Sequence, residues 1–367
     1  MEMNHIPRVT VLIDTYNHER FIERAIASVL DQDMPMDGVE ILVVDDGSTD
    51  RTPELVRQFE PRVRLLRKTN GGQASAFNAG IPECRGEIIA FLDGDDWWAP
   101  GKLRRVVDLM ESDPFLGIVG HAIVESSEDG AERTIALGTP ERLRLDSVHS
   151  AKAFRLHRCF FGTSRMTLRS EIARKILPVP EALIFEADEY IFTLANALSD
   201  GFILTEPLTH YRVHSGNLFL NSGGNREGER RKLKVLTALV AELRLALPAC
   251  GMSDEVAAPI LELTQAEAAQ LRLKLDGGSS WKTYQVEATI YRIQHGDASL
   301  RQRLFHEAMM LPALVLPPRL FYGARQWLAS RPWYKQARRK LLPVPGFTHV
   351  HASELQQEDV IRSTYHE

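Results

Sequence analysis

Glu87-Ile88-Ile89-Ala90-Phe91-Leu92-Asp93-Gly94-Asp95-Asp96-Trp97-Trp98 is the stretch whose reading decides the fold. Its apolar run has the length of a buried strand. It delivers three carboxylates together at its C-terminal end, and in an open α/β sheet that edge is where ligands bind. Clustered like charges are unfavourable unless something positive compensates them, and a hard divalent cation with oxygen ligands does so. Mg²⁺ held there keeps open positions for substrate phosphates. The first expectation is a metal-dependent enzyme acting on a phosphate-bearing substrate. An acidic, solvated turn after a strand is the plainer alternative.

Outward from this stretch, strand-like and helix-like segments alternate. Residues 9–13 form a first strand, followed by Phe21, Ile22, Ala25, Ile26, Val29 and Leu30 at helical spacing. Residues 39–44 form a second strand that ends in Asp45-Asp46-Gly47-Ser48. Thr52-Pro53 opens the next helix as N-cap and first-turn proline. Residues 63–66 form a third strand, a helix covers 73–84, and the fourth strand runs into Asp93. Pro100 opens a helix with Leu103, Val106, Val107 and Met110 on one face, and 117–124 form a fifth strand. This β-α-β-α rhythm predicts an α/β fold with a mostly parallel sheet flanked by helices. Residues 125–160 read as loops and short elements, 164–168 as a strand, 188–198 as a helix, and 202–213 as a last strand broken at Glu206-Pro207.

From about Gly228 the pattern becomes helical, with Leu233, Val240, Leu243 and Leu247 on one long helix and 256–275 forming another. The expected division is a catalytic domain over 1–225 and a helical extension over 226–367. Within the extension, 308–353 contains no Asp or Glu. It carries Arg319, Arg325, Arg331, Lys335, Arg338, Arg339 and Lys340, interleaved with leucines and aromatics. That mixture suits the surface of an anionic membrane, or equally a helical pair with a basic outer face. Prolines at 312, 317, 318 and 332 prevent one continuous helix.

The bulk composition narrows the class. With 44% hydrophobic and 25% charged residues over 367 positions, the chain is an ordinary globular protein. A net charge of −5 gives no nucleic-acid footprint. Cys84, Cys159 and Cys250 form neither a zinc pattern nor a disulfide framework, which suits a cytoplasmic setting. The first seven residues lack the apolar core of a signal peptide, and no apolar run reaches the roughly 18 residues a membrane span needs.

Four segments share the strand-end position: Asp14-Thr15-Tyr16-Asn17, Asp45-Asp46-Gly47-Ser48-Thr49-Asp50, the block from Asn70 to Gly80, and Asp93-Gly94-Asp95-Asp96. Four in succession make a polar rim along one sheet edge. A solvated rim has no need of paired glycines or of three carboxylate clusters. In this order the motifs resemble family 2 glycosyltransferases of the GT-A fold, over about residues 8–217. Two departures are visible. The family usually has proline where this chain has Asp14, beside the expected base pocket, and its Glu-Asp pair before the acceptor-side helix reads Ala187-Asp188 here.

The resemblance implies roles position by position. Thr15, Tyr16 and Asn17 would line the nucleotide pocket. Asp46, with Asp45, would accept hydrogen bonds from base or ribose. Gln73 and Asn78 would face the nucleotide and donor sugar. Asp95 fits the main ligand of Mg²⁺ or Mn²⁺, and Asp93 would bind the donor or share the metal. Asp188 fits the catalytic base, with Glu189 the next candidate. Tyr211-Arg212-Val213-His214-Ser215-Gly216-Asn217 resembles the segment that closes the family's core, with His214 approaching metal or diphosphate. Trp97 and Trp98 offer a stacking platform for an acceptor sugar, or anchor the loop in the core.

The activity so implied is transfer of a sugar from a nucleotide diphosphate sugar, a UDP-sugar first, to a hydroxyl of a glycan or lipid-linked acceptor, with inversion. Bacterial polysaccharide assembly is the implied setting. Two alternatives stand beside it: a non-catalytic nucleotide-sugar-binding relative, and a sugar-phosphate nucleotidyltransferase. The latter leads one to expect a glycine-rich N-terminal loop with a basic residue, where this chain has Asp14-Thr15-Tyr16-Asn17.

Overall fold

The computed structural model describes residues 6–214, 216–217, 226–295, 299–329 and 331. Strands β1 (Val9–Thr15), β2 (Val39–Asp45), β3 (Val63–Arg67) and β4 (Ile88–Asp93) pair in parallel in the order β3-β2-β1-β4. Beyond β4 lie β9 (Thr167–Arg169), antiparallel to both its neighbours, then β6 (Leu116–Ser127) and β10 (Asp200–Val213), parallel to each other. Three short antiparallel strands complete the sheet. β5 (Trp97–Trp98) and β8 (Glu141–Leu143) pair with β10, and β7 (Glu132–Ile135) pairs with β6.

Alternation along the strands decides which way each side chain faces. Leu12, Leu42, Val44, Ile89 and Phe91 enter one core layer, covered by α3 (Gln73–Gly80) and α7 (Ala187–Leu198). Val9, Val11, Ile13, Ile41, Val43, Ala90 and Leu92 enter the opposite layer, under α1 (Ile22–Leu30), α2 (Thr52–Arg57) and α4 (Lys102–Ser112). Burial on both faces is why these strands read as continuous apolar runs. Continued by two residues, the same alternation sends Asp14, Asp46 and Asp93 toward the α3/α7 side and Asp45 toward the other.

Several elements differ from the expectation. The 125–160 stretch is more regular than its charges suggest, holding the end of β6, β7, β8 and α5 (Val148–His157), which Ser147 and Ser150 cap reciprocally. The strand expected over 164–168 is shorter and later, because 163–165 forms a single 3₁₀ turn. Thr52 does not cap α2. Its hydroxyl bonds Asp50 at 2.6 Å and accepts the His18 N–H at 2.9 Å, tying the ends of β1 and β2 together.

After α6 (Ser170–Ile176) and α7 come the long helices α8 (Arg226–Ala249) and α9 (Asp254–Asp276). Val235, Leu239, Leu243, Leu247, Ile260 and Leu261 bury in the same layer as α3 and α7. Residue 226 therefore marks a change to all-helical structure without a change of core. The chain continues through α10 (Ser280–Gln294), α11 (Leu300–Met310), α12 (Pro312–Val315) and α13 (Pro318–Ala329), broken between the last two at the prolines. No helix among the described residues is long and apolar enough to cross a membrane.

Candidate active site

Parallel pairing sets Asp14 of β1 directly beside Asp93 of β4 at one edge of the sheet. Gly94 turns the chain there, donating its N–H to the Asp14 carbonyl at 2.9 Å. A Cβ at Gly94 would lie 2.5 Å from Thr15 Oγ1, so the middle residue of this Asp-Gly-Asp turn has no room for a side chain. Oxygens of Asp93, Asp95 and Asp96 lie within 4.8 Å of one another, close enough to share one cation.

The three carboxylates differ in their surroundings. Asp96 is enclosed, accepting from Ser164 Oγ at 2.6 Å and from the Arg212 N–H at 2.8 Å, and burial with Asp95 beside it pushes it up to about 8. Burial, then Asp14 and Asp95, hold Asp93 well above the usual carboxylate range. Burial also opposes charge on Asp95, but His18 and His214 outweigh it and leave that carboxyl below its ordinary value. Asp95 is therefore the carboxylate most firmly ionised here. Asp14 belongs to the same cluster: its Oδ1 is buried without a partner, and burial, then Asp95, push it up to about 8. Four carboxyls around one point, one of them with an unpartnered oxygen, fit a hard divalent cation.

His214 approaches Asp95 Oδ2 at 2.9 Å through Nε2, while its Nδ1 accepts the Gly216 N–H at 3.1 Å. That pattern leaves the ring proton on Nε2. As found, His214 is a hydrogen-bond donor that holds Asp95, and it has no free nitrogen to offer as the metal ligand expected from the sequence. His18, which the sequence did not single out, sits 3.9 Å from the same oxygen.

Asp188 stands on the first turn of α7. Its Oδ2 accepts from the Thr163 N–H at 3.1 Å and Oγ1 at 3.2 Å, and its Oδ1 from the Glu189 N–H at 2.9 Å. Burial raises its pKa. Ser164, the next residue along, donates to Asp93 at 3.3 Å and to Asp96 at 2.6 Å. One dipeptide thus holds the candidate base and the carboxylate cluster together. The sequence offered no sign of it beyond an apolar-flanked Gly-Thr-Ser-Arg. Arg165 follows, half-buried, with its guanidinium against Gly162 and 6.0 Å from the centre of the Tyr211 ring.

Glu189 is not available as a base. Its carboxylate is buried in an ion pair with Arg158 and accepts from Thr264 of α9 at 3.0 Å. Gln73 and Asn78 also differ from expectation. Gln73 donates from Nε2 to Thr163 Oγ1 at 3.1 Å and accepts the Ala187 N–H at 3.0 Å, so its amide braces Asp188. Asn78 has both ends of its amide on the Val179 backbone, at 2.8 and 2.7 Å.

At the end of β2, Asp46 accepts from Lys68 Nζ at 2.7 Å and from the Gly72 N–H at 2.7 Å, with the Gly71 N–H at 3.0 Å. Asp45 points the other way, fully buried, bonding the Ser48 N–H at 2.9 Å and facing Arg67 Nε at 3.1 Å. It shapes the turn, on the face of the sheet opposite Asp46. Asn17 takes the left-handed conformation (φ 57°) and accepts the Thr49 N–H at 2.8 Å. Thr15 is buried against His18, and Tyr16 is 42% exposed at the mouth. Trp97 and Trp98 are anchors. Trp98 donates to the Ser164 carbonyl at 3.0 Å, and Trp97 lies between the Arg24 guanidinium, 3.5 Å from its ring centre, and the stacked His210 ring.

Comparison with known proteins gives the family and the fold. The glycosyl transferase family 2 model matches residues 10–175. The alr2836 glycosyltransferase of Nostoc sp. is 31% identical over 232 residues, 61% of this chain and 70% of that protein. The succinoglycan biosynthesis protein ExoO of Rhizobium meliloti is 34% identical over 58% of this chain and 62% of its own length. S. aureus TarS residues 1–349, solved with UDP-GlcNAc, superposes with a TM-score of 0.58 at 17% identity, covering 87% of this chain and 92% of that one. The protein belongs to glycosyl transferase family 2. It is a glycosyltransferase with the GT-A fold.

Proposed function

We propose that this glycosyltransferase moves a sugar from a UDP-sugar to a hydroxyl of a glycan or lipid-linked acceptor, with inversion, in bacterial polysaccharide assembly. The observation that carries the reading is the dipeptide Thr163-Ser164, in which Thr163 bonds Asp188 and Ser164 bonds the carboxylate cluster suited to a cation. ExoO and TarS, named for succinoglycan biosynthesis and solved with UDP-GlcNAc, support the setting and the donor class. The unpaired cysteines suit a cytoplasmic site of action.

Asp95 and Asp93 would hold Mg²⁺ or Mn²⁺, which when bound supplies the charge that neutralises a diphosphate leaving group. His214 keeps Asp95 turned toward that position. Tyr16 and the loop that Asp46 holds through Gly71 and Gly72 frame the base and ribose. Asp188, oriented by Thr163, takes the proton from the acceptor hydroxyl as its oxygen bonds to the anomeric carbon and the bond to diphosphate breaks. Attack from the side opposite the leaving group is a single displacement, and that inverts the centre.

Calorimetric titration with a panel of nucleotide sugars, with and without Mn²⁺ and in Asp95→Ala, tests this. The expected result is one UDP-sugar that binds only with Mn²⁺ and an intact Asp95. Binding that is indifferent to both removes the metal role. No binding of any donor on the panel removes the UDP-sugar reading.

A further inference from the structure

Helices α11 to α13 bury one apolar face and leave a second one open. Met310, Ala313, Phe321 and Tyr322 pack inward with Leu273 of α9. On the outside, Leu300, Leu304, Ala308, Leu311 and Val315 are all exposed. Their spacing of four, four, three and four residues puts them on one helical face. Leu311 retains helical backbone (φ −51°, ψ −39°), so the stripe crosses the junction between α11 and α12. A second stripe on α13 follows the same rule with Leu320, Ala324 and Trp327. Leu300, Val315 and Leu320 are 73%, 80% and 62% exposed, and Trp327 is 57% exposed. Single exposed leucines need no explanation, but two apolar stripes on consecutive helices do.

Glu307, on α11 beside the first stripe, accepts the Tyr284 hydroxyl at 2.7 Å, and past it the charge beside the stripes is of one sign. From 308 to 353 the sequence has no carboxylate. Arg331 stacks over Trp327 at 4.3 Å, and Arg319 donates to the Leu275 carbonyl at 3.0 Å and forms no ion pair among the described residues. Beyond the described residues the sequence adds Lys335, Arg338, Arg339 and Lys340. An apolar stripe flanked by arginine and tryptophan matches the boundary between headgroups and acyl chains of an anionic bilayer. A second copy of the same basic surface would meet it with like charge.

We infer that α11–α13 form a docking face for an anionic membrane surface. The inference rests on the proposed transfer to a glycan or lipid-linked acceptor and deepens it, since it seats the enzyme on the surface where lipid-linked acceptors reside.

The test is co-sedimentation of the full chain with phosphatidylcholine vesicles, with and without phosphatidylglycerol, read together with tryptophan emission. Binding only to the phosphatidylglycerol vesicles, weakened by salt and accompanied by a blue shift, is expected. In Leu311→Glu/Val315→Glu the binding should fall at least about tenfold, the loss expected from removing apolar anchors. Circular dichroism and donor affinity should stay unchanged, because neither side chain lies in the core or the site. Trp327→Ala should remove most of the blue shift. Failure of the wild type to bind anionic vesicles, or unchanged binding in the double variant, overturns the inference. So does a wild-type dimer that the double variant converts to monomer. Intact donor binding in any of these cases leaves the proposed transferase activity standing.

Discussion

Asp45 and Asp46 are neighbours in the chain with opposite fates, because a strand turns successive side chains to opposite faces. Asp46 falls on the α3/α7 side and gathers Lys68 and two glycine N–H groups; Asp45 is buried on the other side against Arg67. Asp188 and Glu189 divide in a similar way. Asp188 is held by a backbone N–H and a hydroxyl of Thr163, while Glu189 is committed to Arg158 and Thr264. A base must be ionised to accept a proton, and burial makes ionisation of Asp188 harder. The acid limb of kcat/KM should therefore lie above the ordinary aspartate value of about 3.9, with activity rising as pH increases through it. Asp188→Asn should lower kcat by about 10²–10⁴-fold and leave donor affinity unchanged. A variant that keeps near wild-type turnover with the same acid limb would show that another group is the base.

At the scale of elements, what sets the site is how loops and helix starts are pressed together. The turn into α3 carries Gly72 with φ 84° and ψ 177°, a conformation essentially confined to glycine. Its N–H reaches Asp46, and a Cβ there would lie 2.7 Å from Ile184 Cα, backbone that cannot step aside. Gly72→Ala should cost roughly 1–3 kcal/mol in denaturant unfolding and weaken nucleotide binding as well, because both the Asp46 contact and the 183–187 approach must shift. Equal stability of the variant and the wild type would mean that the loop does not need this close approach. The need for paired glycines was legible in the sequence. Their neighbour Ile184, far along the chain, was not.

At the scale of the molecule, α8 and α9 are part of the catalytic core. They bury Val235, Leu239, Leu243, Leu247, Ile260 and Leu261 beside α3 and α7, and Thr264 reaches the Glu189 carboxylate. At roughly 1.5–3 kcal/mol for each buried side chain, six of them match or exceed a typical domain stability of about 5–15 kcal/mol. A chain ended at residue 225 should fail to yield soluble, folded protein. A chain ended at 277 should fold and bind donor, which solubility, circular dichroism and calorimetry would check. A stable 1–225 fragment with normal donor affinity would show that the two regions are independent.

The main strands, the mostly parallel sheet and the polar rim were written in the sequence, because they follow from local rules: apolar runs of strand length, helical periodicity between them, and polar residues placed just past strand ends. The candidate cation site needed nothing more than Asp93-Gly94-Asp95-Asp96 at such an end. Other features depended on contacts between residues far apart in the chain. Thr163 and Ser164 join Asp188, the candidate base, to the carboxylate cluster, Gln73 braces that arrangement, Asn78 latches onto Val179, and the choice between Asp188 and Glu189 turns on Arg158 and a threonine on α9. No periodicity announces such contacts. They arise only when separate elements pack, and the side chain's nearest partner then decides what chemistry is left to it.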